Sequence, residues 1–276
     1  MTLHRMMYLI ILMSLISCSG GNNSSSADLR DSLREEIPDT PIYPLDTTPA
    51  QDHHHEEDFT VDYIMGHFNP ATHPDFVEID IKYADREGMY LRKDVYEAFQ
   101  KMYQHALKDS IRLQIRSATR NFNYQKGIWE AKWTGERLIE GGENLAQTTP
   151  DENQRALKIL RYSSMPGTSR HHWGTDIDLN NFENSWFAEG EGLDIYNWLL
   201  LHAEEYGFCQ PYSAGRSCGY FEERWHWTYM PVSEKLTALA KKELKNEMIK
   251  GFHGSETAVM IDVVRNYVLG INEECK

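Results

Sequence analysis

Residues able to build an apolar core begin abruptly at Phe59, and the segment from Ser19 to Asp58 before it shows no sustained apolar period. That earlier segment is rich in Ser, Gly, Asn, Pro and acidic residues, a composition that cannot repay the entropy of ordering the chain. The remainder is long enough to bury one full-sized core. We therefore predict a disordered tether over residues 19–58 and a single folded domain over residues 59–276.

The first residues have the character of an export signal, because Arg5 precedes an apolar run from Met6 to Ile16. The run is too short to span a bilayer as a permanent helix. Its ending, Leu15-Ile16-Ser17-Cys18, resembles the bacterial lipobox, which implies a lipoprotein signal peptide over residues 1–18 with a lipid on Cys18. An ordinary cleaved signal or a buried helix is the alternative. The expected location is the bacterial cell envelope, anchored to the membrane and facing the periplasm or the exterior.

Short alternating patterns and longer helical patterns follow Phe59 at uneven intervals. Alternation predicts strands at 76–81, 111–115 and 225–229 and around Asp178. Apolar residues at helical spacing predict helices at 93–108, 124–139 (stopped by Gly141), 193–206 (stopped by Gly207), 233–248 and 256–268. Helices grouped around a modest sheet indicate an α+β fold and not a wound parallel sheet.

The charge of the chain limits its partners. The net charge is −14, and the first 58 residues supply half of it, with 3 basic and 10 acidic side chains. The folded part is therefore acidic as well. A domain of this sign repels phosphate backbones and offers no stripe of Lys and Arg, so no nucleic-acid partner is expected. Small or zwitterionic substrates suit it better.

The cysteines are consistent with export. Cys209 and Cys218 flank a turn rich in Pro, Ser and Gly, and in an oxidising compartment we expect them to form a disulfide. Two free buried thiols are the alternative, because sequence does not show whether the Cα atoms come close enough to bond. Cys275 has no obvious partner.

Two segments stand apart by their chemistry: Ser169–Asp178, with the sequence SRHHWGTDID, and Glu223–Trp227, with the sequence ERWHW. A hydrolytic zinc site needs three imidazole or carboxylate ligands and one open position for water. His171, Asp178 and His226 meet this requirement. A carboxylate three residues before the last ligand, Glu223, could reach the water and act as general base.

The same residues resemble the zinc D-alanyl-D-alanine carboxypeptidases and dipeptidases, which include the vancomycin-resistance carboxypeptidases and share their fold with the Hedgehog signalling domain. That family has the pattern Ser-x-His-x-x-Gly-x-Ala-x-Asp, followed downstream by Glu-x-x-His. The matching positions are Ser169, His171, Gly174, Asp178, Glu223, Trp225 and His226. The resemblance implies a small antiparallel sheet flanked by helices, a Zn²⁺ cofactor and peptidoglycan stem peptides as partners.

The resemblance extends upstream, where Ser117-Ala118-Thr119-Arg120 and Gln125 are similar to the family's Ser-Gly-Tyr-Arg-Ser segment and the Gln after it. It implies that Arg120 faces the zinc pocket and holds an oxyanion or a substrate carboxylate. A structural salt bridge is the alternative role for this arginine. By the same analogy Gln125 and Ser169 are expected to bind substrate, although either residue could instead cap a turn.

Three departures from the pattern stand out: Asp176 replaces Ala, Arg224 replaces Pro, and Ala118-Thr119 replaces Gly-Tyr. Asp176 shares a strand face with Asp178, so it could add negative charge near the metal, orient a ligand histidine or act as an alternative ligand. The neighbouring His172 is expected to be an exposed or hydrogen-bonded core imidazole, with ligation as its alternative.

The function that these implications favour is a zinc D,D- or L,D-carboxypeptidase that releases terminal D-alanine from stem peptides. An endopeptidase that cuts cross-links by the same chemistry is the nearest alternative. A wall-peptide binding module stabilised by zinc belongs to another class, and the intact Glu223 argues against it. Specificity is expected to reside in the loops 163–168 and 210–220.

Overall fold

Helices and strands alternate at uneven intervals along residues 59–276, the part of the chain that the structure, a computed structural model, describes. The strands are β1 (Phe76–Glu78), β2 (Tyr90–Arg92), β3 (Ile115–Ser117), β4 (Asp176–Leu179), β5 (Phe208–Cys209) and β6 (His226–Tyr229). The helices are α1 (Val61–Ile64), α2 (Lys93–Lys108), α3 (Phe122–Trp133), α4 (Leu145–Thr148), α5 (Glu152–Ile159), α6 (Gly190–His202), α7 (Met230–Glu243) and α8 (Thr257–Ile261). The fold is α+β, as predicted. The predicted signal peptide (1–18) and tether (19–58) lie outside the described residues.

Four antiparallel strands form the main sheet in the order β3-β4-β6-β5, and β1 pairs with β2 separately. Successive side chains of a strand point to opposite faces of a sheet. The apolar face carries Ile177 and Trp227, which join buried residues of α2 and α6 in one apolar cluster. The polar face carries Asp178 and His226. The functional candidates therefore lie on the face that the α2–α6 cluster leaves uncovered.

Helix α2 anchors the apolar face and matches its predicted range of 93–108. Val95, Phe99, Met102 and Ala106 recur at the spacing of one helical face, and all four are fully buried. Burying one such large side chain stabilises the fold by about 1.5–3 kcal/mol. The helix ends where Ser110 adopts a positive φ of 63°.

A second apolar cluster is built from buried residues of α3, α5, α7 and α8, among them Trp129, Ile159 and Leu236. Tyr212 and Tyr220 belong to this cluster and also line a cavity that reaches Asp178 on the polar face. The candidate site therefore lies where this helical cluster meets the polar face of the sheet. In residues 59–276 no helix has both the length and the apolar character needed to span a membrane.

The strand predicted at 111–115 begins four residues later than expected, because β3 starts only at Ile115. The side chain of Asn180 takes the place of a strand partner for the preceding residues. Its amide nitrogen donates to the carbonyl of Arg112 at 2.8 Å, and its amide oxygen accepts from the backbone of Gln114 at 3.3 Å. Asn180 itself has a positive φ of 60°, a conformation that Asn tolerates better than most residues.

Several predicted helices are interrupted at residues with left-handed backbone. Helix α3 ends at Trp133, short of the predicted 139, and Gly135 follows with φ 79°. The predicted helix over 256–268 is divided at Asp262, which has φ 51°, into α8 and a π turn at Val264–Val268. Gly207, with φ 80°, ends the turn that continues α6, as predicted. Helix α7 ends at Glu243, because Leu244 is extended.

The disulfide pairing predicted from sequence is wrong: Cys209 is bonded to Cys275, and Cys218 is an exposed free thiol. Proximity in the chain favoured the short loop, but tertiary packing decides the pairing. The backbone N–H of Asn272 donates to the carbonyl of Pro211 at 2.8 Å, which brings the C-terminal segment to the edge strand β5. Cys275 is fully buried there, 5.7 Å from Cys209 between Cα atoms.

Candidate metal centre

Three side chains from separate parts of the chain converge on the polar face of the sheet. His171 lies in a 3-10 turn over Arg170–Trp173, Asp178 in β4 and His226 in β6. Asp178 is paired directly with His226 in the antiparallel register, so their side chains stand beside each other. One ligand atom from each of the three residues lies within 4.8 Å of the others, and all three side chains are buried.

The turn that presents His171 is held in place from both sides. Gly174 ends it with φ 74°, and a Cβ at this position would lie 2.4 Å from the ring of Phe76. Only glycine meets both conditions without strain. The indole N–H of Trp173 donates to the carbonyl of Ile64 at 3.1 Å, and the hydroxyl of Tyr63 donates to the carbonyl of Trp173 at 2.8 Å. Trp173 is therefore a core residue and not a pocket wall.

Hydrogen bonds assign the nitrogen that His171 presents. Its Nδ1 lies 2.9 Å from the carbonyl oxygen of Ala118, so Nδ1 carries the proton and donates it. Its Nε2 lies 3.2 Å from Asp178 Oδ2. Within residues 59–276, neither this Nε2 nor Asp178 Oδ1 has a hydrogen-bond partner, although both atoms are buried. Buried lone pairs without donors are what a bound cation would satisfy, so the donor set fits a metal ion.

His226 is oriented by a different acceptor. Its Nε2 donates to Asp176 Oδ1 at 2.8 Å, which leaves Nδ1 facing the other candidates. Nδ1 lies 3.1 Å from Asp178 Oδ1 and 3.4 Å from Glu223 Oε2. The two imidazoles therefore turn opposite nitrogens, Nε2 of His171 and Nδ1 of His226, toward the same carboxylate.

Burial and neighbouring charge shift the pKa values of these groups. Burial lowers the pKa of His171 below its usual value, and the nearby Arg120 adds to this effect. Burial alone would raise the pKa of Asp178, but the nearby imidazoles of His171 and His226 hold it well below the usual range. Burial raises the pKa of Glu223. The centre thus combines an ionised carboxylate with a second carboxylate that binds protons more readily.

For His226, burial alone would lower the pKa, but the hydrogen bond to Asp176 and the nearby carboxylates of Asp178 and Glu223 outweigh it. The pKa of His226 is therefore raised well above its usual value in the metal-free protein. A cation must displace this proton to bind, because only neutral imidazole is a ligand.

A cavity of about 750 Å³ opens beside the three residues. Glu223 lines it and is itself only 5% exposed, so its carboxylate is shielded from bulk water. The loops 163–168 and 210–220 both contribute to the wall. The aromatic side chains at the wall include Tyr162, Tyr212, Tyr220 and Trp225.

Arg120 lies at the wall of this cavity, close to Asp178. Its Nη1 donates to Ser117 Oγ at 3.2 Å and lies 3.8 Å from Asp178 Oδ2. Its Nε is buried and has no hydrogen-bond partner among the described residues. The guanidinium therefore keeps donors available to a ligand. Its long contact to Asp178 is part of the structural salt bridge that was the alternative role for this arginine.

Gln125 and Ser169 are both buried, and neither belongs to the lining of the cavity. The side-chain N–H of Gln125 donates to the carbonyl of Ser164 at 2.8 Å, so Gln125 holds the 163–168 loop from behind. Ser169 precedes the turn that carries His171, and its carbonyl accepts from the N–H of His172. Direct contact of either residue with substrate stays a prediction.

His172 has both ring nitrogens engaged in the core. Its Nδ1 lies 2.5 Å from the carbonyl of Arg120, and its Nε2 accepts from the N–H of Gly167 at 3.0 Å. Burial lowers the pKa of His172 to about 3, so the ring is neutral. It is the hydrogen-bonded core imidazole that sequence favoured over ligation.

Sequence reasoning missed part of the cavity wall. Phe182–Ser185 and Arg137–Glu140 line it, and neither range was singled out. The first of these follows β4 by a few residues, so its nearness to Asp178 in the chain was a usable signal. The second lies after α3 and is placed only by tertiary packing. Of the two tryptophans in Glu223–Trp227, Trp225 lines the cavity, whereas Trp227 lies on the apolar face.

The sequence model of the family described as "VanY: D-alanyl-D-alanine carboxypeptidase" matches residues 88–232. The chain belongs to this family. The matched range contains all three converging residues, Glu223 and Arg120, and the expected family resemblance is thereby confirmed.

Two curated proteins are similar to this chain in sequence. An uncharacterized protein of Haemophilus influenzae is 35% identical over 78 residues, which cover 28% of this chain and 53% of that protein. The Bacillus subtilis protein named "Putative carboxypeptidase YodJ" is 26% identical over 177 residues, which cover 60% of this chain and 56% of that protein. The chain thus spans about half the length of the curated relatives it matches.

Solved structures of similar proteins include the LdcB LD-carboxypeptidase, with 20% identity, a TM-score of 0.45 and coverage of 62% of this chain and 73% of that one. The vancomycin-resistance D,D-pentapeptidase VanY, solved as a mutant with Zn(II), has 20% identity, a TM-score of 0.42 and coverage of 59% and 88%. VanYB in complex with D-Alanine-D-Alanine has 18% identity, a TM-score of 0.43 and coverage of 63% and 87%. The family assignment rests on the sequence model and not on these structures.

Proposed function

We propose that this protein is a zinc-dependent carboxypeptidase that removes a terminal D-alanine from peptidoglycan stem peptides. The observation that carries the proposal is the convergence of His171, Asp178 and His226, with ligand atoms within 4.8 Å of one another, beside Glu223 in one cavity. Membership of the D-alanyl-D-alanine carboxypeptidase family supports the same reaction. The endopeptidase and binding-module alternatives are outcomes that the test below distinguishes.

The three converging residues would hold the cation through His171 Nε2, a carboxylate oxygen of Asp178 and His226 Nδ1. Two imidazoles and one carboxylate suit Zn²⁺, which when bound supplies Lewis acidity that makes water more acidic and a carbonyl more electrophilic. The protein contributes a ligand set that is already oriented before the cation binds, because hydrogen bonds to Ala118 and Asp176 fix the two rings.

Glu223 is placed to move the proton that hydrolysis requires. It takes a proton from the attacking water, whose oxygen forms the new C–O bond, and delivers that proton to the amine when the C–N bond breaks. The burial that raises its pKa makes it a stronger base than an exposed carboxylate. Each cycle thus consumes one water and releases D-alanine, and Glu223 returns to its ionised form.

Arg120 is placed to hold negative charge that hydrolysis creates or that the substrate brings. Its guanidinium lines the cavity and retains donors that no described side chain occupies. Planar paired donors suit a carboxylate or an oxyanion. The backbone N–H of Arg120 donates to the carbonyl of His171 at 3.1 Å, so the position of the guanidinium is tied to the turn that carries the ligand.

Digestion of defined tri-, tetra- and pentapeptide muropeptides with the zinc-loaded protein, followed by mass spectrometry, tests the proposal. Release of D-alanine from the pentapeptide indicates D,D cleavage, and release from the tetrapeptide indicates L,D cleavage. Cleavage of cross-linked dimers without release of D-alanine would replace the proposal with an endopeptidase. Binding without any product would replace it with a recognition module.

A matched pair of variants separates catalysis from general damage. Glu223→Gln keeps the size of the side chain and removes the base, so product formation should fall to the background rate while zinc is retained. Glu222→Gln alters the adjacent carboxylate, which pairs with Arg224 outside the cavity lining, and should leave the rate unchanged. Activity that survives in Glu223→Gln would contradict the assigned mechanism.

We also propose that the protein is exported and anchored to the cell envelope through a lipid on Cys18. The lipobox-like ending of the apolar run supports this. The disulfide between Cys209 and Cys275 supports export as well, because such bonds persist in oxidising compartments. Metabolic labelling with a palmitate analogue should mark the protein, and Cys18→Ala should abolish the label, whereas a Cys218→Ala control should keep it.

A further inference from the structure

A buried polar network lies behind His226, on the side away from the cavity. Its centre is Asp176, which shares the polar face of β4 with Asp178 and is fully buried. Asp176 is paired with Thr228 in the register of β4 and β6, two residues along the strand from His226. The family pattern has alanine at this position, so the carboxylate is a feature of this chain that the pattern does not account for.

Every oxygen of Asp176 is already occupied by donors. Oδ1 accepts from His226 Nε2 at 2.8 Å and from Arg170 Nε at 3.2 Å. Oδ2 accepts from the hydroxyls of Thr175 at 2.6 Å and Thr228 at 2.8 Å. Asp176 is also absent from the cavity lining among residues 59–276. It is therefore not an alternative metal ligand, because neither oxygen is directed at the cation site.

Arg170 completes the network and is itself fully buried. Its Nη1 donates to Thr237 Oγ1 at 2.9 Å, and its Nη2 donates to Thr228 Oγ1 at 3.0 Å. Its guanidinium carbon lies 4.3 Å from the ring centroid of Trp173. A buried arginine with this many directed contacts is fixed in position, and it links α7 to the turn that carries His171.

We propose that Arg170 and Asp176 form a positioning pair that holds His226 in the tautomer with its proton on Nε2 and its Nδ1 lone pair directed at the cation. This inference rests on the proposed function, since it assigns a role toward the same centre. An imidazole can present either nitrogen, and the acceptor on one nitrogen decides which one is available as a ligand. Arg170 holds Asp176 stationary, so Asp176 keeps its hydrogen bond with His226 Nε2–H and the ring is already oriented before a cation displaces the proton from Nδ1.

The pair also strengthens the ligand. A carboxylate that accepts from Nε2–H increases electron density on the opposite nitrogen, and loss of such a partner lowers metal affinity by about 10–100-fold. His171 has a weaker acceptor, the neutral carbonyl of Ala118. Removal of the pair should therefore affect the centre through His226, while His171 keeps its orientation.

Zinc affinity and histidine NMR of the purified protein test the pair. Arg170→Met with Asp176→Ala removes both buried charges together, which avoids an unpaired ion in the core. The expected result is a folded protein whose zinc dissociation constant, measured by competition with a chelator, rises by about 10–100-fold. In the zinc-free variant the Nε2–H proton of His226 should exchange with solvent faster than in the unaltered protein, where Asp176 holds it in a hydrogen bond.

Asp176→Asn keeps an acceptor for His226 and removes only the charge, so its affinity should fall between those of the unaltered protein and the double variant. If the double variant does not fold, the zinc affinity of Asp176→Asn tests the positioning role instead. Asp94→Asn is the matched control, because Asp94 pairs with the buried Arg92 at 3.1 Å but touches no ligand histidine. Its zinc affinity should be unchanged.

Unaltered zinc affinity and an unaltered exchange rate of the His226 Nε2–H proton in the folded Asp176 variants would overturn the positioning role. Failure of the unaltered protein to bind zinc at His171, Asp178 and His226 would instead overturn the proposed function. The two failures are distinguishable, because the first compares variants that bind zinc and the second concerns the protein without any substitution.

Discussion

Two groups of side chains in residues 59–276 bring potential metal ligands within 4.8 Å of one another, and the comparison between them shows what makes a site. The buried group is His171, Asp178 and His226, with side chains 2–4% exposed. The exposed group is His105, His202 and Glu205, with side chains 29–54% exposed. Proximity of ligand atoms is common to both, so proximity alone does not identify a catalytic centre.

The groups differ in what their ligand atoms already bond. In the exposed group, His105 Nδ1 lies 2.8 Å from the Tyr206 hydroxyl, and His202 Nδ1 lies 2.8 Å from Glu205. The buried group leaves His171 Nε2 without a partner among the described residues. Water solvates the exposed carboxylate and reduces what a cation could gain there, whereas burial raises the cost of leaving ligand atoms unsatisfied. The buried group therefore gains more from a cation.

The largest expected effect is on zinc content. His226→Ala removes one of three ligands from the buried group, so tight zinc binding and peptide hydrolysis should both be lost. The unaltered protein should hold one tightly bound zinc per chain, as measured by metal analysis after extensive dialysis. If His226→Ala still retained a full equivalent of tightly bound zinc, the buried group would not be the tight zinc site, and the exposed group would take that role.

Arg120→Ala should retain zinc and lower kcat/KM by about 10²–10³-fold, the range found for loss of one donor to a developing oxyanion. Steady-state kinetics together with metal analysis measures both quantities. Arg112→Ala, which removes an exposed arginine near β3, should change neither. Loss of zinc in Arg120→Ala would show that this arginine maintains the ligand set and does not act on substrate.

Zinc affinity of the buried group should depend on pH with a defined sign. The pKa of His226 is raised in the metal-free protein, so below that pKa each bound zinc must displace one proton from His226. Affinity should therefore fall as pH falls, by about tenfold per pH unit. The pKa of His171 is lowered by burial, so His171 adds no second proton near neutrality. An affinity independent of pH between 5 and 7 would contradict this assignment.

The smallest expected effect concerns the exposed group. His202→Ala removes a ligand atom from that group and leaves the polar face of the sheet intact, so tight zinc content and peptide hydrolysis should match the unaltered protein. Isothermal titration with zinc at millimolar concentration would reveal any weak additional binding. A loss of hydrolysis in His202→Ala would show that the two groups are coupled.

Sequence predicted best those parts of the molecule that depend on short-range patterns. Helix α2 was predicted to the residue because its buried face repeats at helical spacing without a break. Strands β4 and β6 were predicted because alternation and β-favouring residues coincide there. The converging residues of the buried group came from motif spacing, which the strand register of Asp178 and His226 explains afterwards.

The features that sequence missed depend on contacts distant in the chain. The side chain of Asn180 takes the place of a strand partner for residues 112–114, and no local sequence pattern predicts these hydrogen bonds. The pairing of Cys209 with Cys275 requires the C-terminal segment to return to β5. Sequence leaves the role of Asp176 open among three alternatives, because an isolated carboxylate near a ligand is compatible with all three. The proposed positioning role depends on the register of β4 and β6 and on the position of Arg170, which no local pattern predicts.

An anomalous difference map from zinc-loaded crystals, collected at the zinc absorption edge, tests the central claim most directly. We expect one strong peak within coordination distance of His171 Nε2, Asp178 and His226 Nδ1, with Glu223 beside it and not in coordination. A strong peak only at His105 and His202, or a ligand set that includes Asp176 in place of Asp178, would contradict it.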